Sequence, residues 1–198
     1  MPGIFLPELQ ELIACSVPIQ EENNTRGKSR YVLLEERKDD RHGFTGEDDR
    51  TIISRVEIKN LPQNVFVFKA DAFPQPQILF NDVKEVRKRA DFILIASEAN
   101  GKNRIVFIEM KKNKDNSHEI TSQLRGAACV MDYCNSVLRR FWNDSAAVNN
   151  YEERYVTISS NQGKRPTRIT NNEPLHDTPE KKLRLTGLSF TYRQLIRH

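Results

Sequence analysis

The stretch from Arg89 to Lys112, RADFILIASEANGKNRIVFIEMKK, constrains the fold more than any other part of the chain. Two apolar runs, Phe92 to Ile95 and Ile105 to Ile108, are joined by SEANGKN. Asn100-Gly101 in that linker is a strong turn signal, because both residue types tolerate positive φ. The spacing therefore predicts a buried β-hairpin with charge at both ends. Asp91 precedes the first run, Glu109 follows the second, and Lys111 comes two residues later. A pairing centred on residues 100 and 101 sets position 91 across from about position 110. Side chains alternate along a strand, so Glu109 and Lys111 share a face and Met110 points the other way. Two carboxylates and one ammonium then meet in one small site.

The rest of the chain frames that hairpin. Residues 7 to 15 read as a short helix, with Pro7 in its first turn and Leu9, Leu12 and Ile13 at helical spacing. Residues 20 to 29 (QEENNTRGKS) have no apolar period and read as a loop. Strands are expected at Tyr31 to Leu34, Thr51 to Ile58 and Val65 to Phe68, before a break at Pro74 and Pro76. Ser117 to about Leu138 reads as the longest helix. Ser117 is its expected N-cap, and the small residues Gly126, Ala127 and Ala128 suit close packing on a sheet. A strand at Tyr155 to Ser159, a basic loop to about Lys181, a strand over Leu183 to Phe190 that closes the sheet, and a short helix over Tyr192 to Arg197 complete the order. The pattern is α/β, with one mixed sheet and helices packed on it. At 198 residues the chain fits a single domain, residues 1–198.

Composition excludes several classes. With 37% hydrophobic and 29% charged residues, the chain has the make-up of a globular protein rather than a disordered one. No apolar stretch approaches the roughly 18 residues of a membrane span. The start, MPGIFLPELQELIAC, lacks the basic region of a signal peptide, so a cytoplasmic protein is expected. Cys15, Cys129 and Cys134 are dispersed, with no paired metal-ligand spacing, and read as small buried hydrophobes. The net charge of +4 is a mild pointer to a polyanion, sharpened by basic clusters on either side of the hairpin.

Two acids held close repel, and one pKa rises, unless a cation lies between them. Mg²⁺ is bound by one or two carboxylates together with waters and phosphate oxygens. Beside a lysine, such an ion suits phosphodiester hydrolysis. Asp91, then Glu109-Met110-Lys111 after a hairpin, then a helix bearing Gln123, resembles the PD-(D/E)XK nuclease superfamily. That family's restriction-endonuclease-like core is a helix, a mixed, mostly antiparallel sheet and a second helix.

The resemblance spans about residues 80 to 160, with residues 7 to 15 supplying the first helix. It implies that Asp91, Glu109 and the backbone carbonyl of Met110 bind Mg²⁺, for which Mn²⁺ can substitute. Lys111 would be the catalytic lysine and Gln123 would stand beside the metal. A further acid would come from Glu8 or Glu11. Ala90 stands where the family often has proline, and Ala127 where a tyrosine often follows the glutamine, the nearest tyrosine being Tyr133.

The implied activity is a metal-dependent endonuclease or exonuclease, with DNA favoured over RNA. The alternative is a catalytically inactive nucleic-acid-binding or protein-interaction module on the same fold. Lys112, Lys114, Arg125, Lys164, Arg165 and Arg168 would be phosphate contacts. A homodimer, or a partner protein that supplies specificity, fits so small a domain.

The motif needs its context, because Glu-x-Lys occurs twice more. Glu36-Arg37-Lys38 reads as the opening of a charged loop, and Glu57-Ile58-Lys59 as the outward face of a strand. Glu85 reads as a surface residue within reach of the site, His118 as a solvated or capping residue, and Phe141 and Trp142 as packing at the helix end.

Overall fold

Strands as uniformly apolar as the hairpin's need cover on both faces, and a computed structural model supplies it in three layers. Residues 6–24, 27–37, 52–73, 79–81, 83–111, 117–143, 148–160 and 175–197 are described. Within them lie helices α1 (Leu6–Leu12), α2 (Ser117–Phe141) and α3 (Tyr192–Leu195). The strands are β1 (Ile19–Asn24), β2 (Gly27–Arg37), β3 (Ile52–Lys59), β4 (Asn64–Lys69), β5 (Phe92–Ser97), β6 (Asn103–Lys111), β7 (Tyr151–Ser159), β8 (Leu183–Thr186) and β9 (Ser189–Thr191). The larger sheet has the order β4-β5-β6-β7-β8 and the smaller the order β1-β2-β3-β9.

Helices α1 and α2 cover one face of the larger sheet. There Leu9, Leu124, Ala127 and Met131 pack with Phe66, Phe68, Ile93, Ile95, Phe107 and Tyr155. The smaller sheet covers the other face, where Val32, Leu34, Val56 and Ile58 meet Val67, Phe92, Leu94, Val106, Ile108 and Met110. The odd-numbered residues of β6 thus face the helices and the even-numbered ones face the second sheet. Glu109 and Lys111 fall on the helix side.

The hairpin forms as its spacing predicts. Its register runs from Ser97 opposite Asn103 to Phe92 opposite Ile108. One step further sets Asp91 beside Glu109, a residue short of the expected partner. Of the two turn residues Asn100 and Gly101, Gly101 alone takes positive φ, at 80°. Asn100 contributes through its side chain, whose Oδ1 accepts from the Lys102 N–H at 2.9 Å.

Four expectations need correction. In the polar segment 20–29, residues 20–24 and 27–29 are paired strand and not loop: β1 pairs antiparallel with β2 from Ile19–Val32 to Asn24–Gly27. As an edge strand with exposed side chains at Glu21, Glu22 and Asn23, it carries no apolar period to be read. The segment 183–190 is two strands in different sheets, divided at Gly187, whose φ of 146° favours glycine. The sheet is therefore not single. Nor is the larger one mostly antiparallel, since β4–β5 and β5–β6 are antiparallel while β6–β7 and β7–β8 are parallel.

Two details of α2 also differ. Ser117 is its first helical residue and not its cap, and its hydroxyl accepts from Arg184. Gly126 meets the carbonyl of Lys88 rather than the sheet.

At the end of the hairpin away from Asp91, charge is buried and paired. Arg104, 4% exposed, donates from Nε to Glu98 Oε1 at 2.7 Å and from Nη1 to Glu152 Oε2 at 2.7 Å. Arg154, also buried, shares Glu152 at 2.7 Å, and the Tyr192 hydroxyl donates to Glu98 at 3.0 Å. These bonds tie α3 to the sheet. Glu98→Ala would leave two buried guanidiniums sharing one acid, and is expected to cost about 3 kcal/mol in urea unfolding.

Candidate active site

The site lies where the C-terminal ends of β4 and β6 meet the start of β5. Ala90 is fully buried and anchors the chain. The carbonyl of Asp91 accepts from the Ala70 N–H at 2.9 Å, and its Oδ2 accepts from the Met110 N–H at 2.6 Å. The Asp91 carboxyl is thereby pinned to the strand that carries Glu109. Glu109 is 1% exposed, and its Oε1 lies 2.8 Å from Lys111 Nζ. Asp91, Glu109 and Lys111 are thus brought together as the hairpin reading expects.

The electrostatics follow from burial. Desolvation pushes the Asp91 carboxyl well above its ordinary value; Glu109 adds to the rise, and the Met110 N–H opposes it. Glu109 rises from 4.5 to about 7, again chiefly through burial, with Lys111 pulling it down. Two further acids belong to this field and escaped the sequence reading. Glu36, at the end of β2, and Asp71, just past β4, both raise Asp91, and Glu36 also raises Glu109. Glu36 does not open a solvated loop: it is half-buried, its carboxyl is raised by burial, and it feels Lys111 and Asp71. Glu57 does lie on an outward strand face, paired with Lys59 at 3.0 Å.

The donor set suits a hard divalent cation. Among the described residues, Glu109 Oε2 is buried with no hydrogen-bond donor, and Gln123 Oε1 on the facing helix is in the same condition. A buried oxygen without a donor is costly, and a cation would relieve it. No group of three or more His, Cys, Asp or Glu side chains among the described residues forms a ready-made cage. That is compatible with Mg²⁺, which keeps several waters and is held by one or two carboxylates.

The other candidates divide. Glu8 Oε2 on α1 is buried with no donor among the described residues, but Glu8 lies within one helical turn of Glu11. Glu11 accepts from Trp142 Nε1 at 3.3 Å, past the far end of α2 and about 28 Å along the helix from Gln123. It is therefore removed from the site. Glu85 is held by Lys88 at 2.9 Å and faces His118 at 3.5 Å. Phe141 is exposed rather than packed, at 79%. Of the cysteines, Cys129 is exposed while Cys134 is buried.

Among the expected phosphate contacts, Arg125 is paired with Glu180 and so is partly neutralised. Lys112, Lys114, Lys164, Arg165 and Arg168 lie outside the described residues.

No helix among the described residues is long and apolar enough to cross a membrane. Comparison with protein-family models, with curated proteins and with solved structures gives no match to this chain.

Proposed function

We propose that this protein is a metal-dependent nuclease that hydrolyses phosphodiester bonds in DNA, on a restriction-endonuclease-like core. The observation that carries the reading is the Asp91, Glu109 and Lys111 constellation, with Glu109 Oε2 buried and without a donor among the described residues. The element order supports it as well: helix α1, the antiparallel strands β4, β5 and β6, helix α2, then β7 parallel to β6.

Asp91 and Glu109 would hold Mg²⁺ or Mn²⁺, and Gln123, on the helix that covers this face of the sheet, would be the further oxygen donor. Bound there, the ion supplies positive charge to the phosphodiester and lowers the pKa of water. Asp91 is kept in place by the Met110 N–H, and its other oxygen would face the ion. Lys111 has two tasks. It neutralises Glu109 in the resting site, and its ammonium stabilises the negative charge that grows on the phosphate oxygens as water attacks. The slab of apolar side chains beneath, Ile93, Phe107 and Ile105, keeps bulk water from screening these charges.

The test is incubation of the protein with plasmid, linear duplex and single-stranded DNA in Mg²⁺, Mn²⁺ or EDTA. Cleavage is expected with either metal and not in EDTA. Asp91→Ala is expected to lower it by about 10²-fold or more. Cleavage that survives EDTA or Asp91→Ala would overturn the proposal.

A further inference from the structure

Strand β8 stands outside the elements on which the nuclease reading rests, yet it brings a cation onto the reactive face. In the parallel ladders Glu109 is level with Thr157, and Thr157 with Arg184. Leu183 and Leu185 point into the core between the sheets, so Arg184 points to the α2 side, as Glu109 does. The next row along the strands is Lys111, Ser159 and Thr186. Two strand spacings separate Arg184 from Glu109, about 10 Å at the backbone. In that row Thr157 stands between the carboxylate-bearing strand and the guanidinium.

The charge around Arg184 is not balanced locally. Its Nη2 donates to the Ser117 hydroxyl at 2.7 Å, a neutral partner, and no carboxylate is paired with it among the described residues. Lys182 precedes it on the same face, 6% exposed. Its ammonium donates to three neutral oxygens, Thr121 Oγ1 at 2.7 Å, Ser117 O at 3.2 Å and Pro179 O at 3.3 Å, and the acid that acts on it, Glu180, is already paired with Arg125, so three cations share one carboxylate here. A buried ammonium beside an unpaired guanidinium is an unfavourable arrangement for the free protein. It becomes favourable when a polyanion lies across the row.

We infer that Arg184 binds a backbone phosphate of the DNA adjoining the one that is cut, and so positions the strand over Asp91 and Glu109. This rests on the nuclease reading. Guanidinium is the fitting group, since its planar fork matches two phosphate oxygens at once, and the buried Lys182 adds positive potential beneath it. Arg184 itself is exposed, so substitution there leaves the core intact.

The test pairs binding with kinetics. Anisotropy of labelled duplex DNA is measured in EDTA over a range of salt for the wild type, Arg184→Met and Arg184→Lys, and cleavage is followed in Mg²⁺. Arg184→Met is expected to lower the salt slope by about one phosphate contact. It should raise KM about tenfold with kcat little changed. Arg184→Lys should keep the slope while recovering part of the affinity. A wild-type slope and KM in Arg184→Met, or a loss confined to kcat, would overturn the inference. The expected slope difference between wild type and Arg184→Met, with no cleavage by the wild type in Mg²⁺, would overturn the nuclease reading alone. A wild type that does not bind DNA would overturn both.

Discussion

Glu109→Gln is expected to abolish Mg²⁺-dependent cleavage, by about 10³-fold or more, and at the same time to stabilise the metal-free protein at pH 8. Both effects come from one buried carboxyl. In the folded protein Glu109 holds its proton up to about pH 7, whereas its ordinary value is 4.5. Between those limits the unfolded chain has lost a proton that the folded chain retains. Stability contributed by the protonated form is therefore complete below about 4.5 and is lost as pH rises through about 7.

The loss is about 3 kcal/mol at full ionisation. Glutamine carries no titrating proton, so that part of the fall disappears. A smaller fall of the same sign remains, because the Asp91 carboxyl is raised too. Urea unfolding in EDTA at pH 5 and pH 8 measures it: the wild type should weaken markedly between the two, and Glu109→Gln much less. Equal pH dependence in the two proteins would mean that Glu109 ionises freely in the folded state.

Gly126→Ala is expected to destabilise the protein by about 3 kcal/mol, although alanine favours an isolated helix over glycine by about 1 kcal/mol. A methyl group there would overlap the Lys88 carbonyl oxygen and come within 2.9 Å of the Lys88 carbonyl carbon and 3.1 Å of Arg89 Nη1. The first two are backbone atoms, which cannot swing aside as a side chain can. Relief therefore requires the segment before Asp91 to move away from α2, and Asp91 lies only three residues beyond Lys88. Cleavage should fall along with the urea midpoint. A stabilised Gly126→Ala protein would show that helix and segment are not in close contact in solution.

The hairpin was legible because its signals are local. Asn100-Gly101 marks the turn, and alternation sets Glu109 and Lys111 on one face; that Asp91 shares it follows only from the register, which is one residue off the spacing estimate. Glu36 and Asp71 were not legible, since each reaches the site through packing. Glu36 comes from a strand of the second sheet, and no pattern in the sequence announces that this sheet stacks on the first. The neighbouring charges of EERKDD suggest solvent instead.

β1 escaped notice because its stability lies in backbone pairing and surface charge, such as Glu21 beside Arg30 at 3.6 Å. Arg184 escaped because its significance depends on the register between strands that lie far apart in the chain. The division at Gly187 was marked only by a single glycine, which is compatible with a bulge as well as with a change of sheet.

The central claim is that Asp91 and Glu109 together hold a divalent cation beside Lys111. Calorimetric titration of the protein with Mn²⁺ at pH 6 and pH 8, in buffers of different ionisation enthalpy, tests it most directly. The prediction is one site per chain, tighter at pH 8, with proton release at pH 6 that fades at pH 8 as Glu109 ionises without help. Binding should be lost in Asp91→Ala. An absence of binding at both pH values, or binding that Asp91→Ala leaves unchanged, would contradict the claim.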